Sequence, residues 1–439
     1  MTKSGVIHVD VAVVGCGLAG LAAARFAADR GCRVAIVGAS GAMDLSSGLF
    51  DLLGALPGEE RPREDPWLAL QDLGERFPEH PLNKPGADAV ACALDSLGSV
   101  LARRGVEYTG SGKHNIILPT QLGTLRPTYR VPATMWPGIE ARENNSPCLV
   151  LDIEGMKDFD AEGMLAALGD AWPRARSDSL SLTGFSLGRE ARPLLLARSL
   201  ENVQNLEALA RAVRSRLGKN EVVGLPAVLG VHNPDGIKRR FQEMVGAPVF
   251  EIPILPNPVP AGRIREALYS ALREDEAIRT LIPGRVQSAR VLADRDFLLE
   301  TDRQEPEKQI RSSAVVLASG RFLGHGLRAE RGRIWEPLLQ LPVAQPQMRS
   351  AWHSPDLFDP DGHGVDRAGL ETDARFRPVD GRGRAIYNGV YAIGSILAHA
   401  DWMRFKCGAG MCLASAWRAV EGMVVDLGLG ADREEARRK

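Results

Sequence analysis

The stretch Val9-Asp10-Val11-Ala12-Val13-Val14-Gly15-Cys16-Gly17-Leu18-Ala19-Gly20 decides the fold. An apolar run of strand length stops at a glycine turn, and an alanine-rich helical segment follows to about Asp29. In such a turn the first glycine allows the tight bend, the second lets a phosphate approach the backbone, and the third lets helix and strand pack closely. The helix N-terminus then offers its N–H groups to the anion. Gly15, Gly17, Leu18, Ala19 and Gly20 are therefore the expected phosphate contacts. Three spaced glycines mean little alone in a chain holding 46 of them. Here they lie between two apolar strands, the second being Arg33-Val34-Ala35-Ile36-Val37, and that context gives them meaning. An acidic residue normally closes this second strand and holds an adenosine ribose. Its position is occupied by Gly38.

The chain has 439 residues, too many for one ordinary core, which predicts two domains or one large domain with an insertion. Charge is balanced, 54 basic against 55 acidic residues with a net of -1, so no global field draws it to nucleic acid or anionic lipid. Only nine basic residues are Lys, so any single Arg carries little functional weight. The six cysteines, Cys16, Cys32, Cys92, Cys148, Cys407 and Cys412, form no CxxC pair, which speaks against a zinc, iron–sulfur or disulfide framework and for a reducing cytoplasm. Asp10 and the glycines interrupt the apolar N-terminal segment, so it reads as strand, turn and helix rather than a leader. No run reaches the length of a membrane span.

Beyond Ser46, a Pro- and charge-rich loop from Pro57 to Pro66 marks a compositional boundary. Helical spacing recurs over 86–104 and 203–217, strands joined by a turn over 115–128, and strand patterns at 148–153 and 222–229. These predict an inserted α+β domain over 46–255, for substrate or partner, inside a discontinuous domain made of 1–45 and 256–430. Prolines over 253–260 predict extended chain, with a helix from Arg263 to Leu272. A small meander over 285–300 leads to the core strand Ala314-Val315-Val316-Leu317-Ala318. A further strand ends at Gly394-Ser395, and the glycine turn Gly408-Ala409-Gly410 opens a final helix. The charged tail 431–439 carries no sign of function.

Three apolar strands thus end at small residues: Gly15, Ser319-Gly320 and Gly394-Ser395. In open α/β sheets, ligands lie beyond such carboxyl ends. The order resembles the glutathione-reductase-type flavoproteins, which implies a Rossmann-like FAD/NAD(P)-binding α/β fold. The resemblance further implies that Ser319, Gly320, Gly394, Ser395, Gly408 and Gly410 bring backbone N–H groups and a helix N-terminus to a flavin. More specifically, Ser46-Ser47-Gly48-Leu49-Phe50-Asp51-Leu52-Leu53, Leu122-Gly123-Thr124-Leu125-Arg126-Pro127-Thr128, Ala329-Glu330-Arg331 with Glu336-Pro337, Thr372-Asp373 with Arg377-Pro378, and Tyr391-Ala392-Ile393-Gly394-Ser395 resemble the B subunit family of anaerobic glycerol-3-phosphate dehydrogenase. The likeness spans nearly the whole chain and is weakest over 155–220 and in the tail.

This resemblance implies an FMN-associated cytoplasmic protein, with Ser46, Ser47 and Gly48 added to the cofactor contacts. It also implies two partners in one complex: an A subunit, flavin-containing and catalytic, and a C subunit, which holds iron–sulfur clusters and attaches the complex to the membrane. Together they oxidise sn-glycerol 3-phosphate to dihydroxyacetone phosphate and deliver electrons to a quinone. FMN has no adenosine ribose, which would account for Gly38; FAD held by other contacts is the alternative. Such oxidation needs a base at the C2 hydroxyl and cations for the phosphate. His325 and His399 are the expected bases by position. Arg126, Arg263, Arg321, Arg377, Arg404 and Lys406 are cations attached to recognised segments, of which Arg263, Arg404 and Lys406 are best placed. Two other readings stand beside this one: a relay or assembly flavoprotein that never touches substrate, and a fumarate-reductase-like dehydrogenase acting on another small acid.

Overall fold

The computed structural model describes residues 5–39, 42–181, 191–255, 257–304 and 308–429; the tail 431–439 and Pro256 lie outside the described residues. The strand Val6–Val14 sits in the middle of a seven-stranded sheet whose order is Ile278–Leu281, Val34–Val37, Val6–Val14, Gln309–Leu317, Asp296–Thr301, Val286–Ala293. Val390–Ala392 joins it by pairing with Gln309–Leu317. The pairings around Val6–Val14 are parallel, with Val11 beside Val34 on one side and Ala314 on the other. Parallel strands are covered on both faces, which is why Val11, Ala12 and Val13 are fully buried and the sequence reads as one apolar run. The meander is antiparallel and, as expected, feeds the long strand Gln309–Leu317.

The described residues build two large cores, and the boundary between them does not fall at residue 46. Helix Ala87–Ala102 packs on the final helix Gly408–Asp426 and shares the core of the large sheet. Phe50, Leu52 and Leu53 belong to that core too, so the first core reaches well past residue 46. A second core runs from Ala141 to Val259 around a four-stranded sheet in the order Val249–Ile252, Val222–Pro226, Cys148–Ile153, Ala175–Leu180. All pairings in this sheet are parallel, whereas the short pairs Tyr108–Thr109 with Val131–Pro132 and Ile116–Pro119 with Leu125–Thr128 are antiparallel. Parallel strands require crossovers, supplied here by helices such as Val203–Arg214 and Pro234–Val245.

The prolines before Arg263 act differently from expectation. The helix begins at Val259 and runs to Arg273, with Pro258 as its N-cap and Pro260 in its first turn. A first-turn proline lacks only an N–H that would have no partner inside the helix. Arg263 therefore lies a turn inside the helix and points into the protein. It is 1% exposed, its Nη1 and Nη2 bond both oxygens of Glu251 at 2.6 and 2.8 Å, and its Nε donates to Gly230 O at 2.8 Å. Burial alone would raise the Glu251 carboxyl, but the Arg263 charge and hydrogen bonds hold it below its usual range. Breaking one side of such a pair leaves a buried charge, so Arg263→Met is expected to lower stability by about 3–5 kcal/mol, read from a denaturant melt. A loss within ordinary surface values would contradict this role.

His80 gives the fold a pH dependence. It is buried beside Phe405, its Nδ1 accepts the Leu82 N–H at 3.2 Å, and burial, with a smaller contribution from the charge of His399, pushes its pKa down to about 3. The unfolded chain binds this proton near pH 6.5 and the folded chain does not until about 3, so His80 makes stability fall as pH drops through that window. His80→Gln should flatten the pH profile of the melting temperature between those limits.

Candidate functional site

The three strand ends meet. Gly15 has φ +114, and a Cβ added there would lie 2.2 Å from Ala318 O, at the end of the neighbouring strand. A Cβ at Gly20 would lie 2.0 Å from Gly15 O, whereas one at Gly17 would meet nothing within 4 Å. The first and third glycines are thus fixed by the fold, and the second faces open space. Gly17 caps the helix Leu18–Asp29 with extended backbone and offers no side-chain bond, while the Ala19 N–H of the first turn is turned toward the Cys412 thiol. Gly394, φ +70, comes from the other side: its added Cβ would stand 2.7 Å from Ala19 Cβ and 3.6 Å from Cys412 Sγ. Gly320, φ +68, faces Ser395 Oγ. This backbone cradle fits a phosphate-bearing cofactor, because Gly17 leaves open space beside a helix N-terminus.

The end of the second strand is closed. A Cβ at Gly38 would lie 2.6 Å from both the N and the Sγ of Cys16. The Cys16 thiol donates to Ala39 O at 2.7 Å, and Tyr269 Oη lies 3.5 Å from Cys16 Sγ. Burial raises the Cys16 thiol, against a lowering by the Tyr269 bond, so it stays a neutral donor. The sequence shows an acid missing at 38; the structure shows that no side chain fits there.

The remaining expected residues divide. Gly48, φ +74, packs on Pro260 and Ala261, and its carbonyl accepts from Tyr108 Oη at 2.6 Å; Phe50 stacks on Tyr108 at 4.2 Å. The hydroxyls of Ser46 and Ser47 are used within their own turn, on Met43 O and the Leu49 N–H. Gly410 N–H donates to Asp51 O at 2.8 Å and Gly408 packs on Trp402, so these two glycines serve close packing of the helix start against residues 51–54 and 402. The Gly410 N–H is thereby spent inside the protein, which corrects its expected role as a cofactor donor. Ser319 borders Gly326 in the turn that carries His325, φ 60, which is exposed. His399, φ 62, lines a cavity of about 230 Å³ with Glu79, Lys84, Glu371, Thr372 and Leu397. Its Nδ1 faces Glu79 at 3.4 Å and its Nε2 faces Glu371 at 3.1 Å, so both ring nitrogens are engaged.

Of the three favoured cations, Arg263 is spent on Glu251 and Gly230, which corrects its expected substrate role. Arg404 lies over Gly362 in the turn of residues 359–362. Lys406, φ 49, stands directly before the helix Gly408–Asp426, beside Asp51 and Arg126. Arg126 is ion-paired to Asp51. From sequence, Arg126 is one cation among many and Asp51 has no evident role. The signal that could have found them is their presence in two of the runs that carry the sequence resemblance, 46–53 and 122–128.

Residues 10–411 match the family model described as FAD binding domain, and the chain belongs to this class of flavin-binding oxidoreductases. The B subunit of anaerobic glycerol-3-phosphate dehydrogenase from Pectobacterium atrosepticum is 31% identical over 94% of this chain and 98% of its own length. The same-named protein of Pectobacterium carotovorum is 32% identical over 94% and 98%. A protein of Halobacterium salinarum, named as the probable B subunit of that dehydrogenase, is 28% identical over 94% and 97%. The chain belongs to the B subunit family of anaerobic glycerol-3-phosphate dehydrogenase. A solved structure, 3-ketosteroid delta1-dehydrogenase from Sterolibacterium denitrificans, aligns at 13% identity over 95% of this chain and 99% of that one, with a TM-score of 0.43.

The glycine geometry separates two kinds of substitution. Gly15→Ala and Gly20→Ala place a methyl against a backbone carbonyl and should lower the melting temperature sharply. Gly17→Ala meets no protein atom and should leave the melting temperature nearly unchanged while flavin content in the purified protein falls. Equal thermal damage from all three would contradict the open side of the cradle.

Proposed function

We propose that this chain is the FMN-carrying subunit of a glycerol-3-phosphate dehydrogenase. It would oxidise sn-glycerol 3-phosphate to dihydroxyacetone phosphate with electrons passed on to a quinone. The carrying observation is the pairing of an open glycine cradle at Gly17 with a second-strand end closed by Cys16 on Gly38. A cofactor ending in a phosphate needs the first and gains nothing from the second. The ion pair Asp44–Arg265 lies beside the same thiol and adds charge at this closed strand end. FMN supplies a hydride acceptor; the chain's share is to hold the phosphate and present the substrate. The relatives are named as one subunit of a larger enzyme, which supports partner chains, read here as a flavin-containing, catalytic A subunit, together with an iron–sulfur C subunit. Among the described residues no helix is long and apolar enough to cross a membrane, so membrane attachment is assigned to the iron–sulfur partner.

His325 and His399 remain the proposed proton acceptors, with His325 better placed sterically because its exposed ring carries no carboxylate partner among the described residues. Denaturing the purified chain and chromatographing the released flavin should yield FMN. FAD would overturn the reading of Gly38. Anaerobic addition of sn-glycerol 3-phosphate should bleach the flavin absorbance, and persistent yellow colour would favour the electron-relay role instead.

A further inference from the structure

Four polar groups with unspent bonding capacity converge beside the start of the helix Gly408–Asp426. Asp51 is 8% exposed, and while its Oδ2 pairs with Arg126, its Oδ1 has no hydrogen-bond partner. Arg126 Nε is buried and equally unpartnered. Thr128 is fully buried, lies two residues on along the strand Leu125–Thr128 and so shares a face with Arg126, and its Oγ1 has no partner. The Lys406 ammonium makes neither a hydrogen bond nor an ion pair among the described residues, although it is half-buried and feels both Arg126 and Asp51.

Backbone geometry fixes these groups to each other. A Cβ at Gly54 would touch both Lys406 Cβ, at 2.9 Å, and Pro127 Cγ, at 3.2 Å. Gly54 N–H donates to the carbonyls of Phe405 and Lys406, and Gly410 N–H to that of Asp51. The strand Leu125–Thr128, the segment 51–54 and the turn at 406 are therefore locked together. An unpaired Nε alone would mean little, since Arg25, Arg142, Arg321 and Arg418 have one too. The convergence is what sets this place apart. Leaving several buried polar groups unpaired costs stability, and proteins accept that cost at sites that bind polar ligands.

The chemistry of the donors identifies the ligand class. A guanidinium and a hydroxyl from one strand face, joined by an ammonium from the turn at 406, suit an oxyanion with several acceptor oxygens such as a phosphate. Arg126 and Lys406 both face Asp51, and Lys406 also feels Asp401, more weakly, so an arriving anion meets two cations whose charge is balanced within the protein. We infer that Arg126, Lys406 and Thr128 form the subsite for a phosphomonoester dianion, with Asp51 as the internal anion that the ligand phosphate competes against. This rests on the proposed function for the identity of the ester, sn-glycerol 3-phosphate, but not for the site itself.

The test is calorimetric titration of the flavin-loaded protein with sn-glycerol 3-phosphate, glycerol and inorganic phosphate, with melting temperature recorded for every variant. Arg126→Gln and Lys406→Gln should each weaken sn-glycerol 3-phosphate by about tenfold or more, a loss typical of a charge-assisted bond. Asp51→Asn keeps an acceptor for Arg126 and removes the competing charge, so affinity should rise severalfold; glycerol should not bind. Should Arg126→Gln fail to fold, Lys406→Gln and Asp51→Asn still give opposite expected signs. Affinity for sn-glycerol 3-phosphate indifferent to Arg126 and Lys406 would overturn this site while sparing the proposed substrate. Inorganic phosphate bound through these residues without sn-glycerol 3-phosphate would keep the site and remove that substrate. Binding of neither ligand, or weakening by Asp51→Asn, would overturn the subsite as described.

Discussion

The contact on which the structure depends is the approach of Gly15 to Ala318 O, where two strands from opposite parts of the chain end side by side. Their parallel register runs from Val6 beside Gln309 to Val14 beside Leu317 and brings both carboxyl ends to one level. A slip of one residue would turn every side chain to the opposite face, and both faces are packed, so the register is strongly specified. The strand Gln309–Leu317 also changes partner along its length. Its first residues pair antiparallel with Asp296–Thr301, and its last, Val315 to Leu317, pair with Val390–Ala392. That exchange carries Gly394 to Ala19, so the cradle is a consequence of sheet register.

The central sheet was legible because buried parallel strands leave continuous apolar runs. The insert's sheet was legible only at its centre, in the strands Cys148–Ile153 and Val222–Pro226. Its edge strand Ala175–Leu180 reads Ala-Arg-Ser-Asp-Ser-Leu, which resembles a loop until a neighbour supplies its hydrogen bonds. Its other edge, Val249–Ile252, contains Glu251, whose buried charge is tolerated only because Arg263 meets it. The long region between Gly320 and Gly389 is held by bonds that have no period. Arg321 binds the carbonyls of Asp366, Leu397 and Ala400, and Glu336 accepts from Leu338, Leu339 and Leu341. Such staples depend on where distant carbonyls and amides fall, and sequence spacing carries no trace of them.

In the site, the glycines could be read and the cations could not. Gly15, Gly20 and Gly394 are dictated locally, by φ or by close backbone approach, and those demands admit one residue type. A cation's role is set by what it meets. Arg263 follows a Pro-rich stretch and Lys406 precedes a glycine turn in sequence, yet the first is held by Glu251 and Gly230 while the second has no ion-pair partner among the described residues. In a chain this rich in arginine, proximity to a motif ranks candidates poorly. Unsatisfied bonding capacity at a buried position ranks them on physical grounds.

Gly38 and Asp51 are two halves of one arrangement. At the end of the second strand, the thiol of Cys16 fills the space a ribose-binding acid would need and satisfies Ala39 O, so that end offers a polar ligand nothing to replace. At the start of the final helix, the reverse holds: Asp51, Arg126 and Thr128 each keep a buried atom unbonded. Desolvation has been compensated at the first place and left uncompensated at the second. Unpaired buried polar groups favour whatever ligand completes them, and residues 51, 126 and 128 are among the positions that keep such groups, whereas residue 38 is not. A cofactor confined to the cradle and a small anionic substrate beside the final helix are what that distribution of bonding capacity favours.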